Sequence, residues 1–306
     1  MSETPEISVV ITTCNRREKL RRAINSVLAQ TFTPFEIIVV DNASTDKTFE
    51  MIKDIQADRL QYIRHQQNQG GPAARNSGIR AAKAKFIAFL DDDDEWMPSK
   101  LEKQYQKMQQ SPSAVGLVYA GAEIFDELGQ KVTLVNKPQY KGNVYQRLLL
   151  GTILSSVSSV LVCKECFDRV GMFDETLTSC QDWDMWLRIA GQYEFQYVDE
   201  VLTRINMHGF QISTNYAALI PGRTRMIEKH AGEFKKQPEI YLVHLKRLGK
   251  LHCINGTWGL AWPWFKKAMD ISPLECVKIF FWCLFELPRV KFFSPAKTFK
   301  RYVPQE

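Results

Sequence analysis

Over residues 7–90 the chain alternates between short, largely apolar, β-branched runs and segments of helical period. Ile7-Ser-Val-Val-Ile-Thr12 is the first run, and residues 16–30 then set Leu20, Ile24, Val27 and Leu28 on one helical face. Phe35-Glu-Ile-Ile-Val-Val40 is the second and ends at Asp41. Asn42-Ala-Ser44 can cap a following helix whose apolar face carries Phe49, Ile52 and Ile55. Leu60–Arg64 is the third run, leading through Gly70-Gly-Pro72 into an alanine-rich helix that ends near Ala84; Phe86-Ile-Ala-Phe-Leu90 is the fourth. Strands apolar on both faces need cover on both faces, so the alternation predicts an α/β fold with a parallel sheet between helices. Ligands of such sheets bind beyond the carboxyl ends of the strands. Those ends are Thr12–Asn15, Asp41–Ser44 and Asp91–Asp94.

The middle of the chain is less regular. Pro98 suits the first turn of a helix running to about Gln110. Val115–Phe125 and Lys131–Val135 flank Glu127-Leu-Gly129 as a hairpin, Ser156–Cys163 reads as a strand and Asp182–Ala190 as a short helix. Beyond about residue 220 the pattern is helical and basic, which divides the chain into 1–220 and a helical C-terminal extension, 221–306.

Composition excludes several classes. Hydrophobic residues make up 45% of the 306 and charged residues 24%, ordinary for a globular protein and unlike disordered, collagenous or coiled-coil chains. Seven cysteines, an odd number widely spread, argue against a disulfide framework. Cys163-Lys-Glu-Cys166 has C-x-x-C spacing, but no second Cys or His pair follows, so buried structural thiols are the expected reading. The polar start Met1-Ser-Glu-Thr-Pro-Glu6 is unlike a secretory leader, and no apolar stretch approaches the roughly 18 residues of a membrane span. A cytoplasmic, reducing compartment is the expectation.

Four consecutive aspartates, Asp91 to Asp94, directly follow a buried strand. Most charge runs are solvated loops. Like charges packed at a strand terminus repel one another, however, and alternate carboxylates such as Asp91 and Asp93 suit a hard divalent cation. At the ligand-binding edge of the sheet they predict a metal–diphosphate site. Asp41 ends the second strand, where a carboxylate can accept hydrogen bonds from a nucleobase or ribose, or cap the next helix. Gly70-Gly-Pro-Ala-Ala-Arg75-Asn76 is a glycine-led turn into a helix, whose amides and Arg75 can face an anion or the aspartates.

Taken together, Ile7–Asn15, Phe35–Ser44, Gly70–Asn76, Phe86–Trp96 and Gln181–Arg188 resemble the family 2 glycosyltransferases of GT-A fold, in the family's motif order and over roughly residues 5–215. The resemblance implies a Rossmann-like, mostly parallel central sheet and a nucleotide-sugar-binding catalytic domain over 1–220. It implies that Thr12, Asn15 and Asp41 hold the donor nucleotide, and that Asp91-Asp92-Asp93 is the D-x-D element binding Mn2+ or Mg2+ with the donor diphosphate and ribose. Arg75 would order that site. A later E-D-W-D-like segment supplies the family's general base. Here it reads Gln181-Asp182-Trp183-Asp184, which carries the base to Asp182 and leaves open how that carboxylate is oriented. An arginine and a histidine often lie near the metal in the family; either Asn206 or His208 fills that place here.

The chemistry asked of Asp182 can be argued independently. An acceptor hydroxyl must lose its proton as the new C1–O bond forms, and one carboxylate suffices for an inverting displacement. At a helix start the macrodipole favours its ionised form. The bland alternative is a helix cap. Trp186 is expected in the core, whereas Trp183 and Trp96 are open between packing and stacking on a sugar.

Formal net charge is +6. Residues 221–306 hold 16 Lys and Arg against 7 Asp and Glu, a net of +9, which leaves −3 over 1–220. The same region carries Trp258, Trp262, Trp264, Phe265 and the aromatic stretch Cys276–Leu287. It is read either as a peripheral membrane contact or as a helical subdomain packing its aromatics. No recognition motif for nucleic acid accompanies the charge. The expected function is an inverting, metal-dependent hexosyl- or N-acetylhexosaminyl-transferase that moves a sugar from a UDP-sugar. Its acceptor would be a saccharide or lipid-linked saccharide at the inner face of the cell membrane, in surface polysaccharide synthesis. The alternatives are a nucleotidyltransferase on a related sheet and a degenerate sugar-binding or scaffold module.

Overall fold

The computed structural model describes residues 4–55, 57–126, 131–207, 216–282 and 285. It divides into two compact units, Met1–Thr176 with Gln181–His208, and Leu177–Cys180 with Gly209–Glu306.

In the first unit, β1 (Ile7–Thr13), α1 (Arg17–Leu28), β2 (Phe35–Asp41), α2 (Thr48–Asp54), β3 (Leu60–Arg64), α3 (Gly71–Ala81) and β4 (Phe86–Asp91) follow the expected alternation. Next come β5 (Glu95–Trp96), α4 (Lys100–Gln109), the hairpin β6 (Val115–Phe125) and β7 (Val132–Asn136), and α5 (Tyr145–Leu150). A single 3-10 turn at Val157–Ser159 precedes β8 (Val160–Cys163), α6 (Lys164–Val170), α7 (Gln181–Ala190) and β9 (Glu194–Asn206). The nine-stranded sheet runs β3-β2-β1-β4-β8-β6-β9-β5, with β7 added to β6. β3, β2, β1 and β4 are mutually parallel, β8 is antiparallel to both β4 and β6, and β9 pairs parallel with β6. The fold is α/β, parallel where the sequence is continuously apolar and mixed beyond.

Burial explains the strands. Every residue of β2 is buried, as are all but one of β1. Leu20, Ile24 and Val27 of α1, Met51 and Ile52 of α2, and Leu101 and Met108 of α4 close one core over them. Two polar residues interrupt these strands, and loop amides engage both. Ser8 Oγ donates to Glu36 Oε1 at 2.7 Å, which also accepts the Lys83 amide at 2.7 Å, while the Ala84 amide donates to Ser8 Oγ at 3.1 Å. The loop between α3 and β4 is thereby fixed to the sheet. α3 lies so close to β1 that a Cβ on Gly78 would sit 2.3 Å from Val10 Cγ1, so only glycine fits there.

Three local expectations are corrected. α2 begins at Thr48, not after Asn42-Ala-Ser44, because those side chains are engaged in the loop and Lys47 turns the chain with φ of 63°. Phe49 is exposed and Met51 takes its place in the core. α4 begins two residues after Pro98. The C-x-x-C thiols are structural: Cys166 Sγ is 3.6 Å from the Gly116 carbonyl, and burial pushes both thiols up, Cys163 to about 11.

The second unit contains α8 (Tyr216–Lys229), α9 (Ala231–Lys235), α10 (Pro238–Ile254), α11 (Trp258–Ile271) and α12 (Glu275–Phe281). Its core joins Leu245 and Cys253 of α10 to Ala261, Phe265 and Ala268 of α11 and Ile279 of α12, with Trp282 just beyond. Among the described residues no helix is long and apolar enough to cross a membrane.

Candidate active site

The registers bring three strand ends side by side. Thr12 stands opposite both Val40 and Asp91, and Thr13 opposite Asp41. The four aspartates follow in a tight turn, closed by the Asp94 amide donating to the Asp91 carbonyl at 3.0 Å.

This turn makes three carboxylates converge. One oxygen each of Asp91, Asp93 and Asp94 lies within 4.8 Å of the others. Hard cations bind oxygens at about 2.1 Å, so the cluster suits one. The alternate pair Asp91 and Asp93 is therefore joined by Asp94. Asp94 is buried and accepts from Ser158 Oγ at 2.6 Å and Ser156 Oγ at 3.3 Å. Burial, then repulsion from Asp91 and Asp93, holds its carboxyl well above the usual range. Asp92 turns away from the cluster. It accepts from Thr13 Oγ1 at 2.7 Å and Arg16 Nη1 at 3.0 Å, and burial pushes it up to about 6.

Arg16 is the residue that sequence reasoning missed. The same Nη1 also meets Asp93 Oδ2 at 3.0 Å, so one guanidinium bridges two aspartates. Burial opposes its charge, and the aspartates more than offset that. An arginine at a helix start reads in sequence as a solvated cation. The available signal was its place directly after a strand end that faces four acids. We expect Arg16→Ala to leave the metal-free cluster without its counter-ion and destabilise it by about 1–2 kcal/mol at neutral pH, a figure discounted for the half-exposed side chain. Differential scanning calorimetry in chelator should show a lowered melting temperature, largely restored by Mn2+. A variant melting like the parent in chelator contradicts the counter-ion role.

Arg75 sits on the first turns of α3, which starts after Gly70 with φ of 86°. Its Nη2 meets Asp91 Oδ1 at 2.8 Å and its Nη1 meets Gln181 Oε1 at 3.2 Å. Gln181 thus takes a neutral hydrogen bond where an acid would have made a second ion pair. Asp182 follows on the first turn of α7, with Oδ1 accepting the Trp183 amide at 2.8 Å. Burial raises its carboxyl, against the pull of that amide and of Arg75, and the nearby charge of Asp91 adds to the rise. The helix dipole alone suggested the opposite direction. Asp184 serves the scaffold instead. Fully buried, it pairs with Arg188 at 2.9 Å, and Arg188 donates to the carbonyls of Val170, Gly171 and Met172.

The three tryptophans near the site, Trp96, Trp183 and Trp186, are packed. Trp183 is 4% exposed and donates to the Leu148 carbonyl at 2.6 Å, so it does not offer a face to a sugar. Trp96 donates to the Ser158 carbonyl at 2.8 Å, and Trp186 meets Phe173 edge-on.

At the carboxyl ends of β1 and β2, Asp41 is buried. Its oxygens accept the Ser44 amide at 2.8 Å and the Tyr62 hydroxyl, and burial followed by that bond raises the phenol. Asn15, with φ of 55°, accepts the Thr45 amide at 2.7 Å, while its own amide donates to Ser44 Oγ at 2.8 Å. Thr12 is half-buried beside these loops. Asn42 Oδ1 accepts the Gln69 amide and faces His65 Nδ1 at 3.0 Å, which ties the β2 and β3 ends together. Asn206 Nδ2 donates to the Asp93 carbonyl at 2.7 Å, placing the end of β9 on the acidic turn. His208 lies outside the described residues.

The Glycosyl transferase family 2 model matches residues 8–160, a span that contains the nucleotide loops, Arg75 and all four aspartates. The chain is a family 2 glycosyltransferase. It is 33% identical over 207 residues to an uncharacterized glycosyltransferase, MJ1057, of Methanocaldococcus jannaschii, covering 66% of this chain and 71% of that one. It is 29% identical over 250 residues to the putative colanic acid biosynthesis glycosyl transferase WcaA of Escherichia coli, covering 79% and 87%. Among solved structures it is similar to Staphylococcus aureus TarS 1–349, with TM-score 0.57, 16% identity and coverage of 87% and 88%. TarS 1–349 has also been solved with UDP-GlcNAc. The mannosyltransferase PcManGT of Pyrobaculum calidifontis, solved with GDP-Man and Mn2+, matches with TM-score 0.59, 15% identity and coverage of 95% and 84%. These structural likenesses establish the GT-A fold of the glycosyltransferase. The family decides for a glycosyltransferase over a nucleotidyltransferase or a scaffold.

Proposed function

We propose that the enzyme transfers a hexosyl or N-acetylhexosaminyl group with inversion from a nucleoside-diphosphate sugar, a UDP-sugar, to a hydroxyl of a saccharide or lipid-linked saccharide in surface polysaccharide assembly. The observation that carries this reading is the meeting of the acidic turn, Arg75 and Asp182 at the carboxyl ends of β1, β2 and β4. TarS and PcManGT bind UDP-GlcNAc and GDP-Man, and the relative WcaA is named for colanic acid biosynthesis, which supports donor class and pathway class alike.

In this reading residues 1–220 form the catalytic domain. The loops at Thr12, Asn15 and Asp41 shape the base and ribose site, with Tyr62 and Ser44 fixing Asp41. Asp91, Asp93 and Asp94 would hold Mn2+ or Mg2+, which supplies charge neutralisation for the departing diphosphate. Arg75 holds Asp91 in place and keeps positive charge beside it. Asp182 accepts the acceptor hydroxyl proton, and its raised carboxyl makes it a stronger base than an exposed aspartate. A single base is what inversion requires, whereas double displacement needs a nucleophile as well.

Thermal-shift titration with UDP- and GDP-sugars tests the donor class. The expected result is stabilisation by a UDP-sugar in the presence of Mn2+ that is lost in chelator; at a hundredfold excess over Kd it amounts to about 2.7 kcal/mol. No response to any nucleotide-sugar would reject the reading.

A further inference from the structure

We propose that α11 and α12 form a docking surface for an anionic phospholipid bilayer, with tryptophans and phenylalanines entering the headgroup layer and lysines pairing with lipid phosphates. Single exposed apolar side chains are ordinary on a protein surface. Here they are neither single nor scattered. The large hydrophobic side chains more than 46% exposed are Trp258, Leu260 and Trp262 on α11, with Leu274, Phe281 and Phe285 on and around α12. Among the described residues, the less exposed examples in the first unit reach only 37–46%.

Among the described side chains, both helices carry core and exposed residues. On α11, Ala261, Phe265 and Ala268 enter the core, while Trp258, Leu260, Trp262, Lys266 and Lys267 remain exposed around it. Around α12, Ile279 and Trp282 pack inward, while Leu274, Lys278, Phe281 and Phe285 form the outward stripe, with the last two rings stacked at 5.9 Å. Both helices thus expose apolar side chains beside lysines, Lys266 and Lys267 on α11 and, on α12, Lys278, which pairs with Glu275 at 2.7 Å. Lys267 lies 4.8 Å from the Trp264 ring and Lys250 4.7 Å from the Trp282 ring. Asp270 is the exposed acid on α11.

The charge decides the occupant. An apolar protein groove does not call for a lysine in each stripe, whereas a phospholipid surface rewards amphipathic rings and cations together. The net charge of +9 over 221–306 matches a negative surface. No described helix can cross the bilayer, so the contact is one of lying on the membrane. It does not depend on the donor or the base assigned above.

Flotation of the full chain with vesicles tests it. With equimolar phosphatidylglycerol and phosphatidylcholine the chain should float and its tryptophan emission should shift to the blue; with phosphatidylcholine alone it should stay in solution. The double variant Trp258→Ser/Trp262→Ser should lower the bound fraction about tenfold at an unchanged melting temperature. Lys266→Glu/Lys267→Glu, on exposed positions, should lower it similarly. Failure to float with the anionic vesicles, or unchanged flotation of both variants, overturns the proposal. Equal binding to both vesicles overturns the anionic assignment. A dimer in light scattering that the tryptophan variant dissolves would give the surface to a second copy and overturn it too.

Discussion

Asp182→Asn should retain donor binding and lose transfer. Replacing the carboxylate by an amide removes the proton acceptor while keeping the shape and the hydrogen bond from the Trp183 amide. A positioned general base contributes about 10²–10⁴-fold, or about 3–5 kcal/mol of transition-state stabilisation. The loss should fall on kcat, with donor Kd unchanged by calorimetry. In the parent enzyme the carboxyl must be ionised to act, and burial raises its pKa. The acid limb of kcat/KM against pH should therefore lie above the ordinary aspartate value of about 3.9. A helix cap would behave differently: asparagine caps as well as aspartate, so the variant would keep both its stability and its turnover. Preserved transfer by Asp182→Asn would remove Asp182 from the mechanism.

The second large effect concerns the stability of the metal-free protein. Asp92 stands at about 6 when folded against about 3.9 unfolded. Between those values the folded chain binds more protons than the unfolded one, so stability falls as pH rises. It is highest below about 4 and reaches its lower plateau above about 6. Two units correspond to about 3 kcal/mol from this group alone, and Asp94 shifts in the same direction. Urea denaturation in chelator between pH 4 and 8 should show this decline, and Mn2+ should recover much of it at pH 7.5. Asp92→Asn should flatten the curve. A parent protein equally stable across that range in chelator would mean that the turn carries no such electrostatic load.

The parts of the molecule legible in the sequence are those where one physical demand acts alone. β1, β2 and β4 are buried on both faces and answer to little else, so their apolar runs show plainly, whereas β3 lies at the sheet edge with no fully buried residue. β9 escaped notice because it is edge-like over part of its length: Asp199 and Glu200 interrupt it, and its register with β6 shifts as it passes them. β5 has two residues and therefore no period to read. Within the site, Asp91 and Asp93 were visible through strand-like alternation. Asp94 was not, because the chain leaves the strand at Asp91 and turns, which brings positions three apart to the same side. Trp183 shows the converse: its neighbourhood with Asp182 suggested an acceptor platform, and its indole N–H is engaged by a carbonyl on α5 instead. Sequence adjacency to a reactive group does not fix direction; on α7 the two neighbours diverge by about 100° around the helix.

The Arg16 bridge also bears on metal supply. A pocket of packed carboxylates ordinarily has to recruit its cation while the chain is folding, since nothing else compensates the repulsion. Here a guanidinium of the chain itself meets Asp92 and Asp93, so the fold can complete and persist before any divalent ion arrives. Loading then becomes a late and reversible exchange on a finished molecule. With the turn binding manganese or magnesium as proposed, the working fraction of the enzyme would follow the free ion in its surroundings rather than its own rate of synthesis.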